Sequence, residues 1–244
     1  MKRSRGLQID RVMLFERFSR NFQLRFKNRS SAANILADAT KPSLKKESKE
    51  QILVFGIPRG GVITGDFFAR KLSIPNFDIV LPRKLTHPDN KELAIGAIME
   101  DGTTYLDQKR ITDSSISLNY LETEKLEQIA EIKRRKSLYR AHLKQNHALS
   151  GATIILVDDG AATGATIIPA ARWIRKVCQP RNLIIALPVA PKPTVRLLGR
   201  ECDSVEAIIT PSNFHSVGQY YEDFNPVTDE QVIEILRVRN SASK

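Results

Sequence analysis

Short apolar runs alternate with helical stretches along most of the chain, which predicts an α/β fold with a mostly parallel central sheet flanked by helices. The longest uncharged stretches, around Ile154 and Ile184, are continuous rather than alternating, as strands buried on both faces are. The loops that follow the runs are rich in small, acidic or basic residues, and in such sheets ligands sit at the carboxyl ends of the strands.

The 244 residues are 27% charged and 41% hydrophobic, an ordinary globular composition. No apolar run approaches the ~20 residues of a membrane-crossing helix, so no membrane partner is expected. Two cysteines, Cys178 and Cys202, make neither a disulfide framework nor a zinc pair, and a reducing, cytoplasmic home follows. The net charge of +11 is uneven: residues 1–50 hold 13 Lys and Arg against 5 Asp and Glu, while the other 194 residues hold 25 against 22.

From the start, residues 1–29 are basic, with Val12, Phe15, Phe18, Phe22 and Phe26 spaced three or four apart. This amphipathic segment reads as an extra helix docked on the domain, with a nucleic-acid or membrane-surface contact, or a removable leader, less favoured. A short helix is expected over 30–39, then a polar linker over 43–50, so that residues 1–50 form an extension and the compact domain runs from 51 to 244. Strands are expected at 52–57 and 77–81 around a helix at 62–72. A hairpin of 93–99 and 103–106 turns on Asp101-Gly102. Residues 113–147 read as one long helix, acidic first and basic last as the helix dipole favours. Strands at 153–157, 183–189 and 205–209 then alternate with helices at 166–177 and 195–200, and a last helix spans 229–237.

The most informative loop is Asp158-Asp159-Gly160-Ala161-Ala162-Thr163-Gly164-Ala165-Thr166. Backbone N–H groups at a helix start, with the Thr163 and Thr166 hydroxyls, make an anion cradle of phosphate size. The adjacent carboxylates repel a phosphate but suit sugar hydroxyls or a hydrated divalent cation. A phosphate site beside a polyol site is the chemistry of a phosphorylated sugar. A second loop, Pro58-Arg59-Gly60-Gly61, joins two glycines, which allow close backbone approach, to a fixed cation. No P-loop, dinucleotide fingerprint or serine-hydrolase elbow is present.

The run from Val157 to Thr166 resembles the signature of the type I phosphoribosyltransferases, and segments including Arg83-Lys84-Leu85 and Val217-Gly218-Gln219-Tyr220-Tyr221 are similar to a bacterial and archaeal group with unassigned substrates. The resemblance implies a homodimer with the type I fold and a small hood, residues 211–227 plus N-terminal elements. It implies transfer of ribose 5-phosphate from phosphoribosyl pyrophosphate to a nitrogen acceptor, with Mg2+ held by Asp158 and Asp159 through water. Residues Ala161, Ala162, Thr163, Gly164, Ala165 and Thr166 would hold the 5-phosphate. Arg59, Gly60, Gly61, Arg83 and Lys84 would hold pyrophosphate, with a cis bond at Arg59-Gly60. Residues 82–91 look like the family's mobile catalytic loop, with His87 and Lys91 as weaker ligands.

Members that salvage hypoxanthine and guanine carry an aspartate where this chain has Ala162, which counts against a 6-oxopurine. Phe214 and Tyr220, from an aromatic-rich stretch, are candidates to stack on the acceptor. The alternative function is a sensor of the same ligand that binds nucleic acid through its basic N-terminus.

Overall fold

The computed structural model describes residues 25–143 and 151–242, so the amphipathic pattern at Val12, Phe15, Phe18 and Phe22 lies outside the described residues. Five strands, β1 (Ile52–Gly56), β2 (Asn76–Ile79), β6 (Thr153–Val157), β7 (Asn182–Val189) and β8 (Ser204–Ile209), form one parallel sheet. Three more, β3 (Arg83–His87), β4 (Asn90–Ile98) and β5 (Thr104–Leu106), form a second, antiparallel sheet. The helices are α1 (Arg29–Thr40), α2 (Gly60–Lys71), α3 (Gln108–Asp113), α4 (Leu118–Arg140), α5 (Ile167–Cys178), α6 (Lys192–Leu198) and α7 (Asp229–Ala242). The α/β fold with a mostly parallel sheet is therefore present.

The sheet order is β2-β1-β6-β7-β8. Strand β1 pairs with β2 on one side and β6 on the other, in a register that sets Gly56 opposite Val157. The order reverses there, and loops at such a reversal diverge to leave a crevice at the strand ends. The two informative loops leave the sheet side by side at this point.

Alternate residues of each strand enter opposite cores, the period-two consequence of the pleat. Ile52, Val54, Ile155, Val157 and Ile184 face α1, α2 and α7; Leu53, Phe55, Ile154, Leu156 and Ile185 face α5 and Leu198 of α6. Burial of both faces explains why these strands are apolar throughout.

The expected domain start at Gln51 is too late. Ala33, Leu36 and Ala37 of α1 are fully buried in the core shared with β1 and α2, and Asn28 caps the helix by accepting the Ser31 N–H at 3.0 Å. The stretch read as a linker contains two short 3-10 turns, with Leu44 buried against the same core.

The long helix expected over 113–147 is α4, which starts only at Leu118, after a separate short helix, α3, that ends at Asp113; residues 144–147 lie outside the described residues. Ser115 adopts φ 51°, a left-handed conformation that stops α3, and Ser117 starts α4 by accepting the Tyr120 N–H. The Asp101-Gly102 turn is as expected, with Gly102 at φ 83° where a side chain would be strained.

Residues 82–91 are not a long loop. Strands β3 and β4 pair over them, and α4 clamps the hairpin: Glu124, 2% exposed, accepts from the Thr86 N–H and hydroxyl, and the Tyr120 hydroxyl donates to the Thr86 carbonyl. The far end of α4 is tied to the main sheet by Arg140, which hydrogen bonds buried Asp78 of β2. No described helix is long and apolar enough to cross a membrane.

Candidate functional site

Strand β6 ends at Val157, and the acid pair emerges at the reversal of strand order, against the loop after β1. A Cβ on Gly60 would lie 1.9 Å from Asp159 Oδ2, and one on Gly61 would lie 2.7 Å from Asp158 Oδ1. Only residues without side chains fit there, so the carboxylates themselves require both glycines. The cis bond is Pro58-Arg59, one position earlier than expected. Gly60 is already the first residue of α2 and Arg59 its cap in a right-handed helical conformation, so the turn is complete before the Arg59-Gly60 peptide.

The carboxylates differ in their partners. Asp158 Oδ1 accepts the Asp159 N–H at 2.9 Å. Asp159 Oδ2 accepts from Arg29 Nε at 2.8 Å, the two side chains being 12% and 14% exposed. Burial raises both acids above the ordinary carboxylate range; Asp159's charge pushes Asp158 further up, while Lys84 and Arg29 oppose the rise. Such a pair favours a cation or hydroxyl donors at its open edge.

Arg29 is the residue that sequence reasoning missed. Its guanidinium lies 3.9 Å over the Phe224 ring, and its Nη1 donates to the Asn225 carbonyl at 2.9 Å. The first described segment thereby meets the hood. Phe26 forms a parallel bridge with Tyr221, and the Tyr221 hydroxyl donates to the Asp159 carbonyl at 2.6 Å.

The cradle loop is only partly free. The Ala161 N–H donates to the Val189 carbonyl, so Ala161 positions the loop rather than offering a donor. The Ala165 N–H leans on the Thr163 hydroxyl at 3.4 Å. The N–H groups of Ala162, Thr163 and Gly164 have no acceptor among the described residues, and Gly164 takes φ 76° as the chain turns into α5.

Arg83 and Lys84 lie on strand β3 rather than on a free loop, and both border a cleft of about 310 Å3 that reaches Pro58 and Thr166. Arg59 is exposed and does not border it; burial and Asp229 push the Tyr139 hydroxyl up, opposed by the charges of Arg135 and Arg59. His87 accepts the Asp89 N–H in the turn between β3 and β4, and Lys91 reaches the Tyr120 hydroxyl at 3.4 Å; both serve the hairpin. Phe214 and Tyr220 stack on each other with centroids 5.8 Å apart, and Tyr220 is 6% exposed, so the pair packs the hood.

Among the described residues no cluster of three or more His, Cys, Asp or Glu is placed to hold a metal ion alone. The acid pair offers a dication one or two carboxylates, which fits an ion whose remaining ligands are water and substrate oxygens.

The phosphoribosyl transferase domain model matches residues 27–225. A Mycobacterium tuberculosis protein named "Putative phosphoribosyl transferase" is 32% identical over 211 residues, which is 86% of this chain and 46% of that protein; the chain thus spans about half the length of this curated relative. The crystal structure of a Thermus thermophilus protein is 36% identical, with a TM-score of 0.71 over 88% of this chain and 99% of that one. By matched length, identity and fold, the chain belongs to the phosphoribosyl transferase domain family, as a type I member.

Proposed function

We propose that the protein binds phosphoribosyl pyrophosphate and transfers its ribose 5-phosphate to a nitrogen acceptor, releasing pyrophosphate. One observation carries the reading: an acid pair, a small-residue loop whose N–H groups have no acceptor among the described residues, and a cation-lined cleft converge where the strand order reverses. The donor has a polyol, a phosphomonoester and a diphosphate, in that complementary set.

Each part then has a task. The N–H groups of residues 162–164 and the Thr163 and Thr166 hydroxyls hold the 5-phosphate. Asp158 and Asp159 orient the ribose hydroxyls, fixing the anomeric carbon toward the acceptor. Lys84 and Arg83 take up negative charge as it develops on the departing pyrophosphate, where a preformed cation is worth most. A Mg2+ ion, held by Asp158 and Asp159 through water, would supply further neutralisation of the departing charge. Ala162 offers no carboxylate toward a purine, which disfavours 6-oxopurines as acceptors. A cytoplasmic place fits such a metabolite.

The reading is tested by calorimetric titration of the full chain with phosphoribosyl pyrophosphate, with and without magnesium. Magnesium-dependent binding that Asp159→Asn weakens about tenfold supports it; equal affinity in the variant overturns the site. A pyrophosphate-release assay over nucleobases and simple amines then identifies the acceptor.

A further inference from the structure

Helix α4 borders the same cleft as Arg83 and Lys84, and it contributes a third cation, Arg135. The side chain is 18% exposed, and its one hydrogen bond among the described residues runs from Nε to Glu131 Oε1 at 2.8 Å. Arg83 is held the same way, by Nε, on Gln128 Oε1 at 3.0 Å. Residues 128, 131 and 135 fall on one face of the helix, at spacings of three and four. Both guanidiniums are therefore fixed along one edge, and their terminal amino groups have no acceptor among the described residues.

The two charges line one cleft. Burial first, and then the Arg135 guanidinium, depress the Arg83 guanidinium, with Glu131 and Glu124 acting the other way. Lys84 has no ion-pair partner among the described residues, and no carboxylate borders the cleft. Three cations gathered from two elements around one concavity repel one another, and an anion bearing several charges offsets that repulsion. Fixed guanidinium forks match the paired oxygens of phosphate groups.

We infer that Arg135 is a further binding residue for the diphosphate end of the donor, presented by α4 beside Arg83 and Lys84. This rests on the phosphoribosyl pyrophosphate reading above and adds a residue from outside its loops. The hairpin and α4 then act as one preassembled wall of the leaving-group site.

The test is calorimetry of the full chain, with magnesium, against inorganic pyrophosphate and, separately, ribose 5-phosphate. Arg135→Gln should weaken pyrophosphate about tenfold and leave ribose 5-phosphate unchanged, and Arg135→Lys should recover part of the loss. Arg134→Gln is the control: Arg134 shares Glu131 but does not border the cleft, and its substitution should leave both affinities intact. Unchanged pyrophosphate affinity in Arg135→Gln overturns the inference. So does equal weakening of both ligands, or an equal loss in Arg134→Gln. A wild-type chain that binds neither ligand overturns the phosphoribosyl reading itself; one that binds both, with Arg135→Gln indifferent, overturns only the role of Arg135.

Discussion

Arg29 Nε and Asp159 Oδ2 meet at 2.8 Å across 130 positions of sequence, joining the start of α1 to the acid pair at the end of β6. Removing one member of a largely buried ion pair leaves the other charge uncompensated, which costs about 3 kcal/mol or more. Arg29→Ala should therefore lower stability by roughly that amount in urea unfolding. Arg29→Lys keeps the charge but loses the planar contact with Phe224, and should fall between. A loss under about 0.5 kcal/mol in the alanine variant would show that the pair contributes nothing.

The two glycines beside the carboxylates should fail differently. In Gly60→Ala the new methyl meets the Asp159 carboxylate at 1.9 Å, a side chain that can turn aside only by giving up its pairing with Arg29, so the protein should fold with reduced stability while donor affinity falls about tenfold. In Gly61→Ala it meets the Val157 carbonyl at 2.8 Å and Asp158 Cα at 2.9 Å, backbone that cannot yield. Thermal unfolding should accordingly drop much further for Gly61→Ala, and the reverse order would refute the packing argument.

Glu124 is buried and satisfies two donors of Thr86, so Glu124→Ala strands a backbone N–H and a hydroxyl at a cost of about 2 kcal/mol. Hydrogen exchange should rise in residues 83–98 and change little in the main sheet. Uniform acceleration across the molecule would mean that the hairpin and helix are not a separable unit.

Glu131 bridges Arg134 and Arg135, and those bonds draw its carboxyl down from 4.5 to about 2. A depressed acid stabilises the fold fully above its unfolded value, and that contribution is lost as the pH falls from about 4.5 toward 2. Because the pairs are partly solvated, the effect is about 1 kcal/mol or less. Glu131→Gln should be slightly less stable at neutral pH and show a shallower loss between pH 4.5 and 2. Parallel curves for variant and wild type would exclude the linkage.

The strands of the central sheet were legible because burial on both faces leaves unbroken apolar runs such as Ile154-Ile155-Leu156-Val157. The acid pair and small loop were legible because their residue types are local. Helix α1 reads from sequence as part of an extension because its core face is mostly alanine, which carries little hydrophobic signal beside the polar run that follows. Strand β3 hid for a similar reason: Leu85 is its one fully buried residue, and its order comes from β4 and α4. Arg29 and Arg135 sit in basic runs of similar residues, and only long-range packing singles them out.

The pairing of β1 with β6, and of Gly60 and Gly61 with the carboxylates beyond β6, sets the proposed donor site on a seam between chain segments about a hundred residues apart. A ligand seated there would act as a removable crosslink, stabilising the folded form by mass action. Retained affinity for the donor would then report that the sheet is joined, and loss of affinity during unfolding should coincide with loss of the sheet rather than precede it.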